Sequence, residues 1–175
     1  MRPAPFSMTV RLPVSFGTYF LAETESPLGD NGVQQIFDTN TLATVTGEGH
    51  AAFMAGTHTG DITFALTARD SEPPLNLHFW DIVVDLTFVS PHGEAVITDS
   101  QGEELPSLRG HSPMRGRPGR YRIRVNARGR TAGHLIEGQL SAGREPPEHH
   151  HICVWPDPGA TDSERVHQTD SFAGG

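Results

Sequence analysis

The 175-residue sequence predicts an all-β fold, a mainly antiparallel β-sandwich with one short helix at most. Three observations carry this reading. The 19 glycines and 14 prolines cut the chain into short runs rich in Val, Ile, Thr and Phe. Several of those runs alternate apolar and polar residues with period 2, the pattern of a strand with one buried face. No internal repeat of fixed period points instead to a solenoid or propeller.

In chain order, residues 1–7 read as a loose leader. From Met8 to Phe16 the residues Met8, Val10, Leu12, Val14 and Phe16 fall on one side. Pro13 cannot donate to a ladder, which makes this an edge or bulged strand. Gly17 breaks the run and Thr18 to Ala22 continues it. Val33, Ile36 and Phe37 have helical spacing, enough for about two turns capped by Asp30 or Asn31. Two short apolar pieces follow, Thr41 to Thr46 and Ala51 to Met54, and then a clear strand from Asp61 to Arg69. Pro73-Pro74 marks a loop. The strongest strand runs from Trp80 to Val89, with Trp80, Ile82, Val84, Leu86 and Phe88 on one face. Ser90-Pro91-His92-Gly93 is a turn by composition, so Glu94 to Thr98 is expected to return as a hairpin. Residues 101–119 are loop-like, and Tyr121 to Ala127 is a strand. Residues 129–147 hold at most one helical turn, near His134 to Ile136. His150 to Trp155 is expected to be the final strand, stopped by Pro156 and Pro158. The expected organisation is therefore a single β-sandwich domain over residues 8–158, with a polar, disordered tail over 159–175.

Composition narrows the chemistry. All 13 basic residues are arginine. A chain without lysine has no Walker A lysine, no Schiff-base lysine and no Ser–Lys dyad. One cysteine, Cys153, excludes an intrachain disulfide. No run approaches the ~20 apolar residues of a membrane span, and the N-terminal residues do not have the form of a signal peptide. A cytoplasmic protein with no membrane association is expected. The formal net charge is −8, yet eight of the 13 arginines lie between Arg109 and Arg130, a stretch with no Asp or Glu. That predicts an acidic body with a basic stripe.

Two clusters are candidate sites. Tyr121, Ile123, Val125 and Ala127 alternate with Arg122, Arg124, Asn126 and Arg128, and Arg130 follows. Guanidiniums two residues apart lie about 7 Å apart on one sheet face. They repel unless acids or anions stand opposite. Either acids on adjacent strands pair with them, with Asp85 a candidate, or the face binds phosphate, nucleic acid or an acidic protein. The net charge argues against nucleic acid, as does the near absence of interleaved aromatics. The second cluster is His149, His151 and Cys153, which share one face of a strand while His150 joins Ile152 and Val154 on the other. Two imidazoles and a thiolate could hold zinc. Catalytic signatures are missing: there is no HExxH, no GxSxG and no GxGxxG. Gly110-His111-Ser112 begins like a nucleophile elbow, but Met114 stands where its second glycine belongs.

Three segments together carry a resemblance. They are Ser15-Phe16-Gly17-Thr18-Tyr19-Phe20; Thr57-His58-Thr59-Gly60 with the strand to Asp70, Glu72-Pro73-Pro74-Leu75 and Trp80-Asp81-Ile82-Val83-Val84; and Gly119-Arg120-Tyr121-Arg122-Ile123-Arg124-Val125 with Ala127-Arg128-Gly129-Arg130 and Val154-Trp155-Pro156. In these the chain resembles a group of small actinobacterial β proteins, a group similar in turn to competence protein J, the inhibitor partner of a DNA-entry nuclease. The resemblance spans roughly residues 8–158. It implies a non-enzymatic protein-binding module, an inhibitor or immunity-type factor of a nuclease or toxin, with a protein as partner and no cofactor. An acidic inhibitor suits a basic nuclease, because charge complementarity speeds association. Two alternatives stand beside it: an oxyanion- or ligand-binding β protein built on Arg122, Arg124, Arg128 and Arg130, and a metal-dependent enzyme at His149, His151 and Cys153.

Overall fold

The structure is a computed structural model, and it describes residues 4–23, 36, 39–136 and 143–172. In chain order the strands are β1 (Phe6–Val14), β2 (Thr18–Ala22), β3 (Ala43–Gly47), β4 (His50–Met54), β5 (Gly60–Ala68), β6 (Ile82–Ser90), β7 (Val96–Thr98), β8 (Gly119–Arg128), β9 (His149–Pro156) and β10 (Glu164–Gln168). A six-residue helix, α1 (Arg130–Leu135), follows β8, and a single 3-10 turn spans Pro106–Leu108. Six strands form one sheet in the order β1-β5-β9-β8-β6-β10, and four form the other in the order β3-β4-β2-β7. Every pairing is antiparallel except β5 with β9. The fold is thus mainly all-β, as the alternating runs imply.

One core fills the space between the sheets. Leu12, Ile62, Phe64, Leu66, Val84, Leu86, Ile123, Val125, Ile152 and Val154 face it from the large sheet, and Tyr19, Leu21, Ala51, Phe53 and Ile97 from the small one. Tyr19 stacks on Phe53, with ring centroids 5.0 Å apart, and meets Phe64 edge-on at 5.7 Å. Each fully buried apolar side chain contributes on the order of 1.5–3 kcal/mol.

Several expectations are corrected. The leader is shorter than seven residues, because β1 starts at Phe6 and Ser7 pairs with Thr67. Phe16 does not extend the apolar face of β1; it stands at a turn and points to solvent. Glu94 to Thr98 does not return against β6. Its strand β7 pairs with β2 in the other sheet, because the chain crosses between layers at residues 90–95. Trp80 lies ahead of β6 and packs on the outer face near His151 rather than in the core. The helix expected around Val33 falls largely outside the described residues; Ile36, which is described, is helical and buried. The tail expectation is overturned as well. Residues 164–168 form β10 along the β6 edge, where Glu164, Arg165 and Val166 stand opposite Leu86, Asp85 and Val84. Polar composition hid this strand, because an edge strand over a charged face needs few apolar residues.

Candidate functional site

Of the β8 arginines, Arg122 and Arg124 lie beneath cover, Arg128 is half-buried, and Arg120 is exposed at the start of the strand. Arg124 stands opposite Asp85 in the β6–β8 register. Its Nε donates to Asp85 Oδ1 at 2.8 Å and its Nη2 to Asp85 Oδ2 at 3.0 Å, a bidentate pair. The loop after β5 closes over it: Nη1 donates to the Pro73 carbonyl and Nη2 to Glu72. His167 of β10 donates from Nε2 to the same Asp85. Arg122 donates to the Asp162 carbonyl and lies 3.6 Å from Asp157. Arg128 lies over the Phe79 ring at 4.3 Å. Arg130, the first residue of α1, turns inward, donates to both Asp170 oxygens and to the Thr41 carbonyl, and lies over Phe172. Arg122, Arg124 and Arg130 are all buried. The four arginines singled out in the sequence therefore meet acids, carbonyls and rings of their own chain. The pairing with Asp85 follows from strand parity; the cover by residues 70–80 and 157–172 does not.

The histidine–cysteine face is half-buried at His149 and His151 and buried at Cys153. His149, His151 and Cys153 share the outer face of β9, where their β8 neighbours in register are Arg128, Asn126 and Arg124. His151 hydrogen-bonds Thr67 through Nε2, and His149 lies 3.5 Å from Glu145. Burial, then the Arg128 charge, pushes His149 below the usual histidine value, and burial does the same to His151. Burial pushes the Cys153 thiol up to about 11. A neutral thiol among guanidiniums is a poor ligand for a dication. Among the described residues no three His, Cys, Asp or Glu side chains gather closely enough to hold a metal ion.

Beneath this face lies a polar chain that the sequence did not reveal as a unit. Glu148 and His150 share strand parity, so both point into the core, and both are fully buried. Glu148 accepts from the Gly56 and Thr57 backbone N–H groups and from Thr57 Oγ1, each at 2.7 Å. An ionised carboxylate only accepts, so His150 Nε2 donates to Glu148 Oε1, again at 2.7 Å. Tyr19 Oη lies 2.7 Å from His150 Nδ1 and donates to it. Burial alone would raise the Glu148 carboxyl, but the bonds from His150 and Thr57 outweigh it and hold the group below the usual carboxylate range. Burial and the Glu148 charge push the Tyr19 phenol well up. Carboxylate, imidazole and hydroxyl in sequence have the connectivity of a nucleophile relay. Here the hydroxyl is sealed between Phe53, Phe64 and His150, so the chain acts as a clamp between the two sheets. A small-residue seam makes it possible. A Cβ on Gly56 would lie 1.9 Å from the Arg130 carbonyl oxygen, and one on Gly133 would lie 2.4 Å from Glu148 Oε2.

The clamp fixes the loop over residues 55–60, and that loop carries the β1–β2 turn. Ala55 N–H donates to the Gly17 carbonyl and Gly17 N–H to the His58 carbonyl, both at 2.8 Å. Ser15 and Thr18 form a bridge around the two central residues, Phe16 and Gly17, at φ +56° and +65°. Two consecutive positive φ values are the pattern of a type I′ turn, whose first position favours Asn, Asp or Gly. A phenylalanine there costs on the order of 1–2 kcal/mol of backbone strain. Its ring is 66% exposed and meets the His58 ring edge-on at 5.7 Å.

The fold thus defines a small two-sheet β protein with a buried Glu148–His150–Tyr19 chain linking its sheets. No protein-family model and no curated protein matches the sequence. Solved structures do share the fold. The structure titled Crocagin biosynthetic gene J is similar at 13% identity, with a TM-score of 0.54, over 89% of this chain and 99% of that one. ComJ from Bacillus subtilis, described as the inhibitor of the DNA-degrading activity of NucA, is similar at 11% identity, with a TM-score of 0.56, over 89% of this chain and all of that one. No helix among the described residues is long and apolar enough to cross a membrane.

Proposed function

We propose that this chain is a non-enzymatic protein-binding module that inhibits a nuclease. The carrying observation is the fold shared with ComJ along that inhibitor's whole length. Two features of the chain support the reading. Its net charge of −8 complements a nucleic-acid-degrading partner, which needs a basic surface for its substrate. The relay-like chain Tyr19–His150–Glu148 ends in a hydroxyl inside the core. The test is a DNA-degradation assay. The DNA-degrading nucleases of the source organism are purified and given labelled duplex DNA one at a time, with and without this protein. Equimolar protein is expected to abolish one of these activities. If every nuclease keeps its full rate, the inhibitor reading is wrong.

A further inference from the structure

We infer that Phe16 is the anchor by which this protein seats itself in an apolar pocket of its nuclease partner, an inference that rests on the inhibitor reading above. Among the described residues, three other than glycine sit at positive φ: Phe16, Thr41 and Arg115. Two of them serve internal bonds. Thr41 supplies its carbonyl and hydroxyl oxygens to buried Arg130, and Arg115 is buried and bonded to Asp70. Phe16 instead leaves two thirds of its surface in solvent. Its ring meets the His58 ring edge-on but takes no part in the buried core, and strained backbone that the surroundings hold in place is a mark of functional positions.

The mounting is rigid. Gly17 is hydrogen-bonded to both Ala55 and His58. The backbone between those two, at Gly56 and Thr57, is held from inside by the buried Glu148 carboxylate. The ring is therefore presented in one place before any partner arrives, which lowers the entropic cost of binding. The surroundings fit an anchor of this kind. The segments 14–18 and 55–63 carry one carboxylate, Asp61, and one histidine, His58, and are otherwise uncharged. A phenylalanine in such a charge-poor setting matches interface cores, where aromatic residues are enriched and charged ones depleted. The Asp61 carboxylate and the acidic body favour a partner whose pocket is apolar at its floor and cationic at its edge.

The test uses the same nuclease panel with three variants. Phe16→Gly and Phe16→Asn remove the ring and suit the positive φ, so both should melt at or above the wild-type temperature. Phe16→Tyr keeps the ring. The expected result is a tenfold or greater loss of inhibition for Phe16→Gly and Phe16→Asn, with Phe16→Tyr close to wild type. Equal inhibition by wild type, Phe16→Gly and Phe16→Asn would overturn the anchor and leave the inhibitor reading standing. A wild-type protein that inhibits no nuclease would remove the inhibitor reading and the anchor with it.

Discussion

Glu148, just ahead of β9, and His150, its second residue, meet at 2.7 Å inside the core, and neither side chain reaches solvent. The carboxylate closes four hydrogen bonds there, to His150, Gly56 and twice to Thr57. Glu148→Gln keeps the shape but turns one accepting oxygen into a donor facing donors. The expected loss is about 2–3 kcal/mol, which for a chain of this size lowers the melting midpoint by roughly 5–10 °C. Urea denaturation and a thermal melt check both figures.

Acid should weaken the fold in two stages. His50, His149 and His151 are held below the usual histidine value, each first by burial. The unfolded chain therefore takes up protons on them before the folded one does, and stability falls as pH drops below about 6.5. Glu148 is held below the usual carboxylate range, so its contribution is complete above that range and is lost as pH falls below it. Urea midpoints measured from pH 8 to about pH 2 should decline through both windows. In Glu148→Gln the lower decline should be reduced.

The Arg124–Asp85 and Arg124–Glu72 pairs offer a contrast within one residue. Asp85 is buried, while the Glu72 side chain is 57% exposed. Asp85→Asn strands a buried guanidinium and should cost about 3–5 kcal/mol. Glu72→Gln breaks a solvated bridge and should cost about 0–1 kcal/mol. Similar losses for the two variants would contradict the burial difference.

Cys153 should be inert. Burial raises its thiol to about 11, so thiolate is scarce at neutral pH. Reaction with a disulfide reagent should be negligible in the native protein and complete in denaturant. Prompt native labelling would mean that the face of β9 opens.

The glycine seam gives the sharpest steric contrast. Gly56→Ala places a methyl 1.9 Å from the Arg130 carbonyl oxygen and should cost about 3 kcal/mol or more. Gly47→Ala meets nothing within 4 Å and should leave the midpoint within a few degrees. Thermal melts of the two variants decide it.

What could be read from sequence followed local periodicity. The runs that became β1, β2, β5, β6, β8 and β9 show alternation, and parity alone put Asp85 on the face of Arg124 and His150 on the face of Ile152. Partnerships across long separations were not legible. Nothing in the sequence ties Glu148 to Thr57, Asp170 to Arg130 or β7 to β2, because each contact exists only once the sheets stack. Phe16 was misassigned for a related reason. Period-2 counting runs straight through a two-residue turn, and the following glycine was the only local sign that the chain bends there.

The position of β9 governs the order in which this chain can assemble. It lies between β5 and β8, joining β1-β5 on one side to β8-β6-β10 on the other. A ribosome releases β1 to β8 well before residues 149–156. Until that stretch emerges, β5 and β8 present open backbone edges to each other and to any neighbouring chain, the surfaces on which nascent proteins aggregate. The large sheet therefore closes by insertion of a central strand, and only after residues 149–156 have been made.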